Sequence, residues 1–411
     1  MRGKAVLARM ILLVLLAQLA ALPALGVFPD RRKDQFPTEF AYLIIPAPYS
    51  LPGIGEGIAA FSLLANVFES TADLYLYKIM GDVTGTGFGV QELPLFTNHL
   101  FFQMGGENIS NAQVFNYYSR GMESHQNEYK ILDLSNLKSR YGYLALNMFE
   151  RRVEFSYNFF NQEMNITGIR DYKGEMEDPD FSEHSKYKGK YVSMLVDATD
   201  DYYDPLSGVR LMATRNLPEP PETTAEPDYY NLEYMLNVYF PVGEVSTLAV
   251  DYFRSMAIVN HPGANLDADV DFLCNPVPPD PACPYVKSKR DHNKHGSAAS
   301  LGGRDRLRAY PDGRFQGAQA EYYGVELRWN FSQEVAPFNW WIWKDIRTGL
   351  QVALIGEWGS VAETAGDLWK NSRKDFGIGF RMITASGGVY RFDFASGDEG
   401  AANTIIVMYP W

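Results

Sequence analysis

Hydrophobic and polar residues alternate along most of this chain in segments of about ten residues, and turn residues separate the segments. A period of two is typical of β-strands that have one polar face and one apolar face. We find no helical periodicity of comparable length, so the pattern predicts an all-β fold in a single domain. The alternation is clearest after Ala318, where one face has Ala320, Tyr322, Gly324, Glu326, Arg328 and Asn330 and the other has Tyr323, Val325, Leu327, Trp329 and Phe331.

The alternating segments predict about sixteen strands, and an even number is expected of a bacterial outer-membrane barrel. In the second half of the chain, long acidic or proline-rich intervals such as 217–228 and 260–317 alternate with short turns such as 243–245 and one longer aromatic turn at 331–348. The two ends of a β-sandwich need not differ in this way, so the loop lengths favour a transmembrane antiparallel β-barrel. The predicted strands are 54–67, 71–82, 95–105, 112–120, 140–149, 152–161, 164–173, 189–200, 207–216, 229–241, 246–259, 318–330, 349–359, 374–384, 388–395 and 403–411.

Charged residues gather on one face of the late strands. Near the end of the chain, Phe376, Ile378 and Phe380 share a face opposite Arg381. In a soluble sheet the apolar face would point to a core, whereas in a membrane barrel it points to lipid and the polar face lines the lumen. Because a charge that faces lipid at mid-depth costs roughly 2 to 4 kcal/mol, we assign the charged face to the lumen. The predicted lumen charges are Glu326, Arg328, Glu357, Arg381, Arg391 and Asp393.

The first 26 residues have the features of a secretory signal peptide. Arg2, Lys4 and Arg9 precede an apolar run that begins at Met10, and small residues follow near Gly26. An uncleaved membrane anchor is the alternative, but a run of roughly a dozen residues is short for a span of about 20. We therefore expect an exported chain with a signal peptide at 1–26, a short periplasmic segment at 27–53 and an outer-membrane barrel at 54–411.

Charge and composition narrow the range of partners. Once the three basic residues of the leader are removed from 37, 34 Lys and Arg remain against 50 Asp and Glu. This acidic balance argues against nucleic acid, because phosphate binding needs the opposite sign. Aromatic residues make up 14% of the chain, which suits either a barrel with aromatic girdles or a glycan-binding sandwich.

Cys274 and Cys283 are the only two cysteines, and they lie within the segment DFLCNPVPPDPAC. In an exported chain we expect them to form a disulfide that closes a proline-stiffened loop, with free thiols as the alternative. Two thiolates without a second nearby pair of ligands do not complete a tetrahedral site. We therefore predict no metal ion and no cofactor.

A loop rich in glycine and arginine precedes the strand at 318–330 and has Arg304, Arg306 and Arg308. It could fold into the lumen as a plug, because an arginine between carboxylates makes bidentate, charge-assisted hydrogen bonds that hold a loop in one position. The alternative is an exposed loop whose arginines contact water or the lipopolysaccharide surface. The residues alone favour neither arrangement.

This loop also has a recognisable motif. Leu301–Tyr310, LGGRDRLRAY, followed by Glu326-Leu327-Arg328, resembles the sixth-loop signature of the BamA/TamA outer-membrane assembly superfamily, the bacterial surface antigen barrels. The resemblance covers the whole predicted barrel in order, weakly at 48–66 and strongly after Asp197. Similar stretches are DATDDYYDPLSGVRL at 197–211, IGEWGSV at 355–361, GIGFR at 377–381 and VYRFDFA at 389–395.

The resemblance implies a lock between the loop and the lumen, formed by Gly303, Arg308 and Tyr310 of the loop with Glu357 and Asp393 of the late strands. Arg308 matches the family's loop arginine, which reaches into the lumen to meet acidic residues. Alanine stands after it where the family usually has glycine, which puts the tight backbone that glycine permits in question. The family also has periplasmic repeat domains that receive client proteins, and we expect this chain to lack them.

The carboxyl end, TIIVMYPW, resembles the terminal assembly signal of outer-membrane barrels, with aromatic residues at Tyr409 and Trp411. Pro410 cannot donate a ladder hydrogen bond, which suits an edge or a weak seam between the first and last strands. In the family that this chain resembles, the seam is the gate through which clients are thought to enter the membrane.

The resemblance implies an integral outer-membrane protein that inserts or translocates outer-membrane polypeptides. Its implied partners are outer-membrane lipid and lipopolysaccharide, together with unfolded outer-membrane proteins and the barrel assembly machinery. A loop-gated diffusion pore, or a surface antigen without assembly activity, is the alternative function. A soluble secreted adhesin or lectin is a further class, and the need for detergent during fractionation would distinguish it from a barrel.

An enzyme embedded in the outer membrane is a different class of function, and it needs a nucleophile with a base and an orienting group. Of the six histidines only His99 lies in a predicted strand, where hydrogen bonds within the wall account for it. The HNKH segment at 292–295 fits a loop surface better than a metal site. We therefore predict no catalytic residues and no enzymatic activity.

Overall fold

The computed structural model describes residues 40–67, 70–178, 181–221, 223–333, 338–384 and 389–407. The predicted signal peptide at 1–26 and the predicted carboxyl-terminal signal with Tyr409 and Trp411 lie outside the described residues. Strands dominate the described chain, and nearly all of them belong to one sheet.

Sixteen β-strands form the wall of the molecule. Each strand pairs antiparallel with its neighbours in sequence, and pairing of the first strand with the last closes the sheet into a cylinder. The predicted antiparallel barrel of about sixteen strands is therefore confirmed. The strands are β1 (Ala41–Leu51), β2 (Gly55–Val67), β3 (Ala72–Gly81), β4 (Thr84–Leu95), β5 (Thr97–Tyr117), β6 (Tyr129–Met148), β7 (Val153–Arg170), β8 (Glu183–Asp197), β9 (Gly208–Asn216), β10 (Asp228–Val242), β11 (Ser246–His261), β12 (Gln319–Gln333), β13 (Thr348–Ala362), β14 (Arg373–Thr384), β15 (Val389–Gly397) and β16 (Gly400–Val407).

The predicted number of strands was right because two omissions offset two divisions. Strands β5 and β7 have 21 and 18 residues, and the sequence pattern divided each of them into two. A strand of about 9 to 11 residues suffices to cross a bilayer, so strands of this length extend beyond the membrane. The two omitted strands are β1 and β4.

The barrel wall begins at Ala41, so the predicted boundary between a periplasmic segment at 27–53 and a barrel at 54–411 is wrong. Pro46 and Pro48 lie within β1 and concealed it, because proline argues against a strand except at an edge. The eleven residues of β1 nevertheless pair without interruption with β2.

Glycines concealed β4 for a different reason. Gly87 and Gly89 lie opposite Tyr77 and Tyr75 on β3, and a Cβ atom at either glycine would come within 2.3 Å of the facing tyrosine ring or its hydroxyl. The glycines therefore make room for two tyrosine side chains inside the barrel. Alternation of polar and apolar residues is lost in such a strand, although its ladder is regular.

The outer face of the barrel is apolar and the inner face is polar. Leu354, Trp329 and Phe380 are about half exposed on the outside, at 55%, 51% and 45%. Their neighbours in sequence, Arg328 and Arg381, are buried inside. A closed cylinder of strands that is apolar outside and charged inside is the arrangement of a transmembrane barrel. Closure lets the backbone N–H and C=O groups of the strands pair with neighbouring strands, because lipid offers them no partners.

The two ends of the barrel differ. One end, called here the long-loop end, has the connections 118–128, 171–182, 217–227, 262–318 and 363–372. The opposite end, the short-turn end, has connections such as 149–152 and 243–245 and also holds the first residue of β1. This difference between the ends was predicted from the loop lengths.

The longest connection, 262–318, contains two helices that the sequence pattern did not predict: α1 (Asp267–Cys274) and α2 (Cys283–His295). Cys274 and Cys283, the predicted pair, form a disulfide that joins the end of α1 to the start of α2. Neither helix is long and apolar enough to cross a membrane.

A small hairpin extends from the short-turn end between β12 and β13. Its strands, Phe338–Trp340 and Trp343–Ile346, pair antiparallel. The hydroxyl of Tyr42 in β1 donates a hydrogen bond of 2.8 Å to the carbonyl of Ile342 at the hairpin turn. The hairpin between β12 and β13 therefore contacts the first strand of the barrel.

Candidate functional site: a loop that plugs the barrel

The end of the long connection folds inward as a compact hairpin, called here the plug (residues 301–315). Leu301 and Phe315 pair as an antiparallel bridge with two backbone hydrogen bonds of 2.9 Å. Both side chains are fully buried, as is Leu307 between them. Burial of such side chains stabilises the loop by about 1.5 to 3 kcal/mol each, so the plug has an apolar core of its own.

The backbone of the plug changes direction at residues with positive φ. Gly302 and Gly303 have φ values of 109° and 98°, and a Cβ atom on Gly303 would lie 2.5 Å from a carboxylate oxygen of Asp312. Leu307 also has a positive φ, of 53°, whereas Ala309 does not. Alanine therefore fits at position 309, because the left-handed residue of this turn lies two positions earlier.

Arg308 is the centre of the site, and its side chain is fully buried. Its Nε lies 3.0 Å from Glu357 Oε1, its Nη1 lies 2.6 Å from Asp393 Oδ2, and its Nη2 lies 2.7 Å from Glu326 Oε1. The backbone N–H of Arg308 also donates to Glu357 Oε2 at 2.7 Å. One guanidinium thus joins the plug to strands β12, β13 and β15.

Glu326 is shared by three arginines. Besides Arg308, it accepts hydrogen bonds from Arg328 Nε at 2.7 Å and from both Nη atoms of Arg381, at 2.8 and 2.5 Å. All four side chains are buried inside the barrel. The sharing explains how one carboxylate can balance several guanidinium groups where water is excluded.

The other side of the cluster holds the plug through its backbone. Arg391 Nη2 donates to the carbonyl of Arg304 at 2.7 Å, and its Nε lies 3.5 Å from Asp393 Oδ2. Asp375 accepts a hydrogen bond of 2.9 Å from the backbone N–H of Ala309. Four buried arginines therefore meet four buried carboxylates around the plug. They are Arg308, Arg328, Arg381 and Arg391, with Glu326, Glu357, Asp375 and Asp393.

Buried ion pairs are costly to assemble but more costly to break. Desolvation offsets much of their attraction, whereas removal of one partner leaves an unpaired buried charge and costs about 3 to 5 kcal/mol. The network therefore fixes the position of the plug more than it adds to stability. The nine residues predicted for the lock and the lumen lie together here: Gly303, Arg308, Tyr310, Glu326, Arg328, Glu357, Arg381, Arg391 and Asp393.

Two further arginines make buried ion pairs at the long-loop end, one within the plug and one beside the segment that leads to it, and the sequence pattern did not single them out. Arg314 is fully buried and makes a bidentate pair with Glu399 at 2.7 and 2.8 Å. Arg120 makes a bidentate pair with Glu363 at 2.7 and 2.8 Å and donates to the carbonyl of Gly296 at 2.7 Å. These residues lie in loops, where no periodicity indicates which side chains are buried.

The plug contacts both sides of the seam between β1 and β16 at the long-loop end. The N–H of Asp312 donates to the carbonyl of Pro52, just after β1, at 3.1 Å. On the other side, Arg314 binds Glu399, and the N–H of Asp398 donates to the hydroxyl of Tyr310 at 3.1 Å, just before β16. The plug therefore contacts the chain beside both of the strands that close the barrel.

The described residues of β1 and β16 meet along the seam between the first and last strands. Within 41–51 and 400–407 they share the register pair Ser50 with Ile405. The carbonyl of Pro48 accepts a hydrogen bond of 2.6 Å from Tyr390 of β15, so it points toward the seam. The N and C=O groups of a strand residue point to the same side, so Pro48, and Pro46 two residues earlier, present no donor to β16.

One titratable group supports the loop that leads to the plug. His292 of α2 lies 2.8 Å from Ser297 Oγ through Nδ1 and meets the ring of Tyr229 edge-on. Burial lowers the pKa of His292, and the nearby Arg120 lowers it further, while Glu363 opposes both. The docked helix therefore favours the neutral imidazole.

His99 Nδ1 lies 3.1 Å from the carbonyl of Asn147, a contact with the wall. No group of three or more His, Cys, Asp or Glu in the described part of the chain is placed to hold a metal ion.

The fold has counterparts among solved structures, although no family model and no curated protein matches the sequence. The chain is similar to CdiB from Escherichia coli, with a TM-score of 0.50 and 13% identity over 94% of this chain and 63% of that chain. BamA from Haemophilus ducreyi lacking POTRA domains 1-3 gives a TM-score of 0.48 and 13% identity over 90% of this chain and 69% of that one. CdiB from Acinetobacter baumannii gives 0.46 and 10% over 90% and 66%.

The fold and the site define the chain as a plugged, sixteen-stranded transmembrane β-barrel. Its fold is similar to that of CdiB from Escherichia coli, and at 13% identity the likeness shows the fold alone. The chain spans about two thirds of the length of these solved chains.

Proposed function

We propose that this barrel resides in the bacterial outer membrane and inserts or translocates outer-membrane polypeptides through the seam between β1 and β16. The plug, which contacts the strand ends on both sides of the seam, is the observation that supports the proposal most. Movement of the plug would therefore change how the two strands are held together at the long-loop end.

The proposed mechanism uses the arginines of the plug as the latch. While Arg308 holds the plug in the lumen, Arg314 and Asp312 keep the two seam strands together at the long-loop end. When the plug withdraws, the strand ends lose these contacts, whereas the Ser50–Ile405 pair and the hydrogen bond from Tyr390 remain. Once the two strands part, the edge of β1 that faced β16 can pair with an incoming strand of a client.

The partners follow from the surfaces. The apolar outer face contacts lipid, and the long-loop end meets lipopolysaccharide if this end is external, as the resemblance implies. Unfolded outer-membrane proteins are the clients, and the barrel assembly machinery is the partner through which they arrive. A loop-gated diffusion pore is the second candidate, which the plug in the lumen favours.

Locking the seam tests the proposal. A Ser50→Cys and Ile405→Cys pair replaces two residues that face each other across the seam, so oxidation joins β1 to β16 covalently. Liposomes that contain the oxidised variant should fold a urea-unfolded outer-membrane protein no faster than empty liposomes, as followed by its heat-modifiable band. A reductant should restore the rate.

The matched control is a Tyr230→Cys and Ile258→Cys pair, which joins two outward positions directly opposite each other on β10 and β11. Its oxidation should leave client folding unchanged. If the barrel with an oxidised seam folds the client as fast as the control, the seam is not the route.

A further inference from the structure

The half of the barrel opposite the plug contains a cavity of about 710 Å³. The plug binds strands on the C-terminal side, through Glu326 of β12, Glu357 of β13 and Asp393 of β15. The residues that line the cavity come from β5 to β9 and from Tyr202 in the turn that follows β8. None of them belongs to the plug, so this space is separate from the lock.

The cavity exists because small side chains form one row across four neighbouring strands. Ala145, Ser156, Ser193 and Thr214 lie opposite one another on β6, β7, β8 and β9. Larger residues stand on both sides of this row. They are Tyr143, Asn158 and Tyr191 on one side, and Glu154, Leu195 and Met212 on the other.

The lining combines aromatic rings with hydroxyl and amide groups. Seven of its sixteen residues are aromatic, and five are Ser, Thr, Asn or Gln. It includes no Lys or Arg, and its single carboxylate, Glu154, accepts a hydrogen bond from the hydroxyl of Tyr143. The side chain of Gln103, opposite Tyr143, makes no hydrogen bond within the described part of the chain.

We infer that this cavity is a binding site for a neutral, polyhydroxylated ligand, namely a short oligosaccharide. The C–H faces of a sugar ring pack on aromatic rings such as those of Tyr143 and Tyr191, and its hydroxyl groups exchange hydrogen bonds with Gln103, Ser156 and Asn158. A cavity of this size is within the range of small-molecule sites, roughly 300 to 1,000 Å³.

The charge of the lining decides against a polypeptide. An extended, unfolded chain brings charged side chains, and charges that enter a site without a counter-charge lose hydration with no compensation. A neutral sugar brings only hydroxyl groups, which the Ser, Thr, Asn and Gln side chains can satisfy. The lining has one carboxylate and no Lys or Arg, whereas four arginines and four carboxylates meet in the C-terminal half of the barrel.

Binding is measured by isothermal titration calorimetry on the full chain in a detergent without a sugar headgroup. Maltotetraose and cellotetraose are the neutral probes, and a tetramer of galacturonic acid is the anionic one. We expect at least one neutral probe to bind and the anionic probe to bind more weakly. Tyr191→Ala should weaken binding of the neutral probe roughly two- to tenfold, the range expected for one aromatic contact.

Two controls keep the result interpretable. Tyr234→Ala removes a tyrosine from the outer face, where 40% of the residue is exposed, and should not change the affinity. Tyr191→Phe keeps the ring, so it should retain most of the affinity even if the alanine variant folds poorly, as a heat-modifiable gel shift reports. Equal loss in the outer-face control would mean that the effect is not local.

The inference does not depend on the proposed function, since locking the seam closes no part of the cavity. It is overturned if neither neutral sugar binds the folded barrel, or if the sugar binds equally well to Tyr191→Ala. The inference is also overturned if an unfolded, carboxymethylated polypeptide binds in place of the neutral sugars and Tyr191→Ala abolishes binding of that polypeptide.

Discussion

A single arginine illustrates why residue type matters at the centre of this barrel. The Arg308 guanidinium presents its three nitrogens to Glu326, Glu357 and Asp393, each on a different strand. Lysine has the charge but not the planar fork, so it could reach only part of this set. The geometry therefore requires arginine and not merely a positive charge.

Replacing Arg308 with alanine should free the plug. The variant removes the guanidinium that three buried carboxylates share, and Glu357 loses its arginine partner, so the free energy of unfolding should fall by about 3 to 5 kcal/mol. Conductance across planar bilayers should rise, because the plug no longer fills the lumen. The conductance of Arg308→Lys should lie between that of the unchanged protein and that of Arg308→Ala. Arg304→Ala, with a half-exposed side chain in the same loop, is the control and should change neither quantity. Unchanged conductance in Arg308→Ala would argue against gating by the plug.

Acid should loosen α2. Because burial and Arg120 lower the pKa of His292 in the docked helix, the undocked helix binds the proton more readily. Docking is therefore fully stabilised above the ordinary histidine pKa of about 6.5 and weakens as pH falls below it. Hydrogen exchange in α2 should be faster at pH 5 than at pH 7.5. His292→Gln should remove this pH dependence, and if it persists, another group is responsible.

At the scale of elements, the plug is connected to the two strands that close the barrel. Arg314 binds Glu399 beside β16, whereas Arg120 binds Glu363 beside β13, away from the seam. The two arginine–glutamate ion pairs have the same chemistry and nearly the same distances, so one is a matched control for the other. Of these two, it is the Arg314–Glu399 pair that lies at the seam.

Arg314→Ala should therefore loosen the seam and Arg120→Ala should not. In hydrogen exchange, amides of β1 and β16 should lose protection in Arg314→Ala, because the ion pair beside β16 is gone. In Arg120→Ala the loss should be confined to the loops around Glu363 and Gly296. Equal loss at the seam in both variants would show that the plug acts as one rigid unit.

At the scale of the whole molecule, the membrane fixes which side of the wall is apolar. Leu354 lies near the middle of β13 and is 55% exposed on the outer face, and Val245 lies in a short turn and is 41% exposed. The two positions have similar exposure but differ in depth. Depth, and not exposure, should decide the cost of a charge.

Leu354→Lys should lower the free energy of unfolding in lipid bilayers by about 2 to 4 kcal/mol, whereas Val245→Lys should cost about 0 to 1 kcal/mol. Denaturant titration of the barrel in liposomes measures both. A similar small cost at the two positions would place Leu354 outside the hydrocarbon layer and would contradict the membrane assignment.

The sequence by itself determined the periodic features of this protein. Alternation assigned the two faces of β10, β12, β14 and β15, because a period of two places every second residue on one side. Loop lengths separated the two ends. Two of the three acidic partners of Arg308, Glu357 and Asp393, could be named from the face on which they lie together with the resemblance of the loop, whereas Glu326 was predicted only as a lumen charge. Each of these inferences depends on local order along the chain.

Only the tertiary structure decided the features that depend on closure. β1 has prolines that conceal it in the sequence, yet closing the cylinder gives it a neighbour on each side. Arg120 and Arg314 lie in loops, so their partners 243 and 85 residues away follow from how the loops fold over the barrel. The cavity likewise arises from side chains on separate strands, which only the register of the ladder brings into one row.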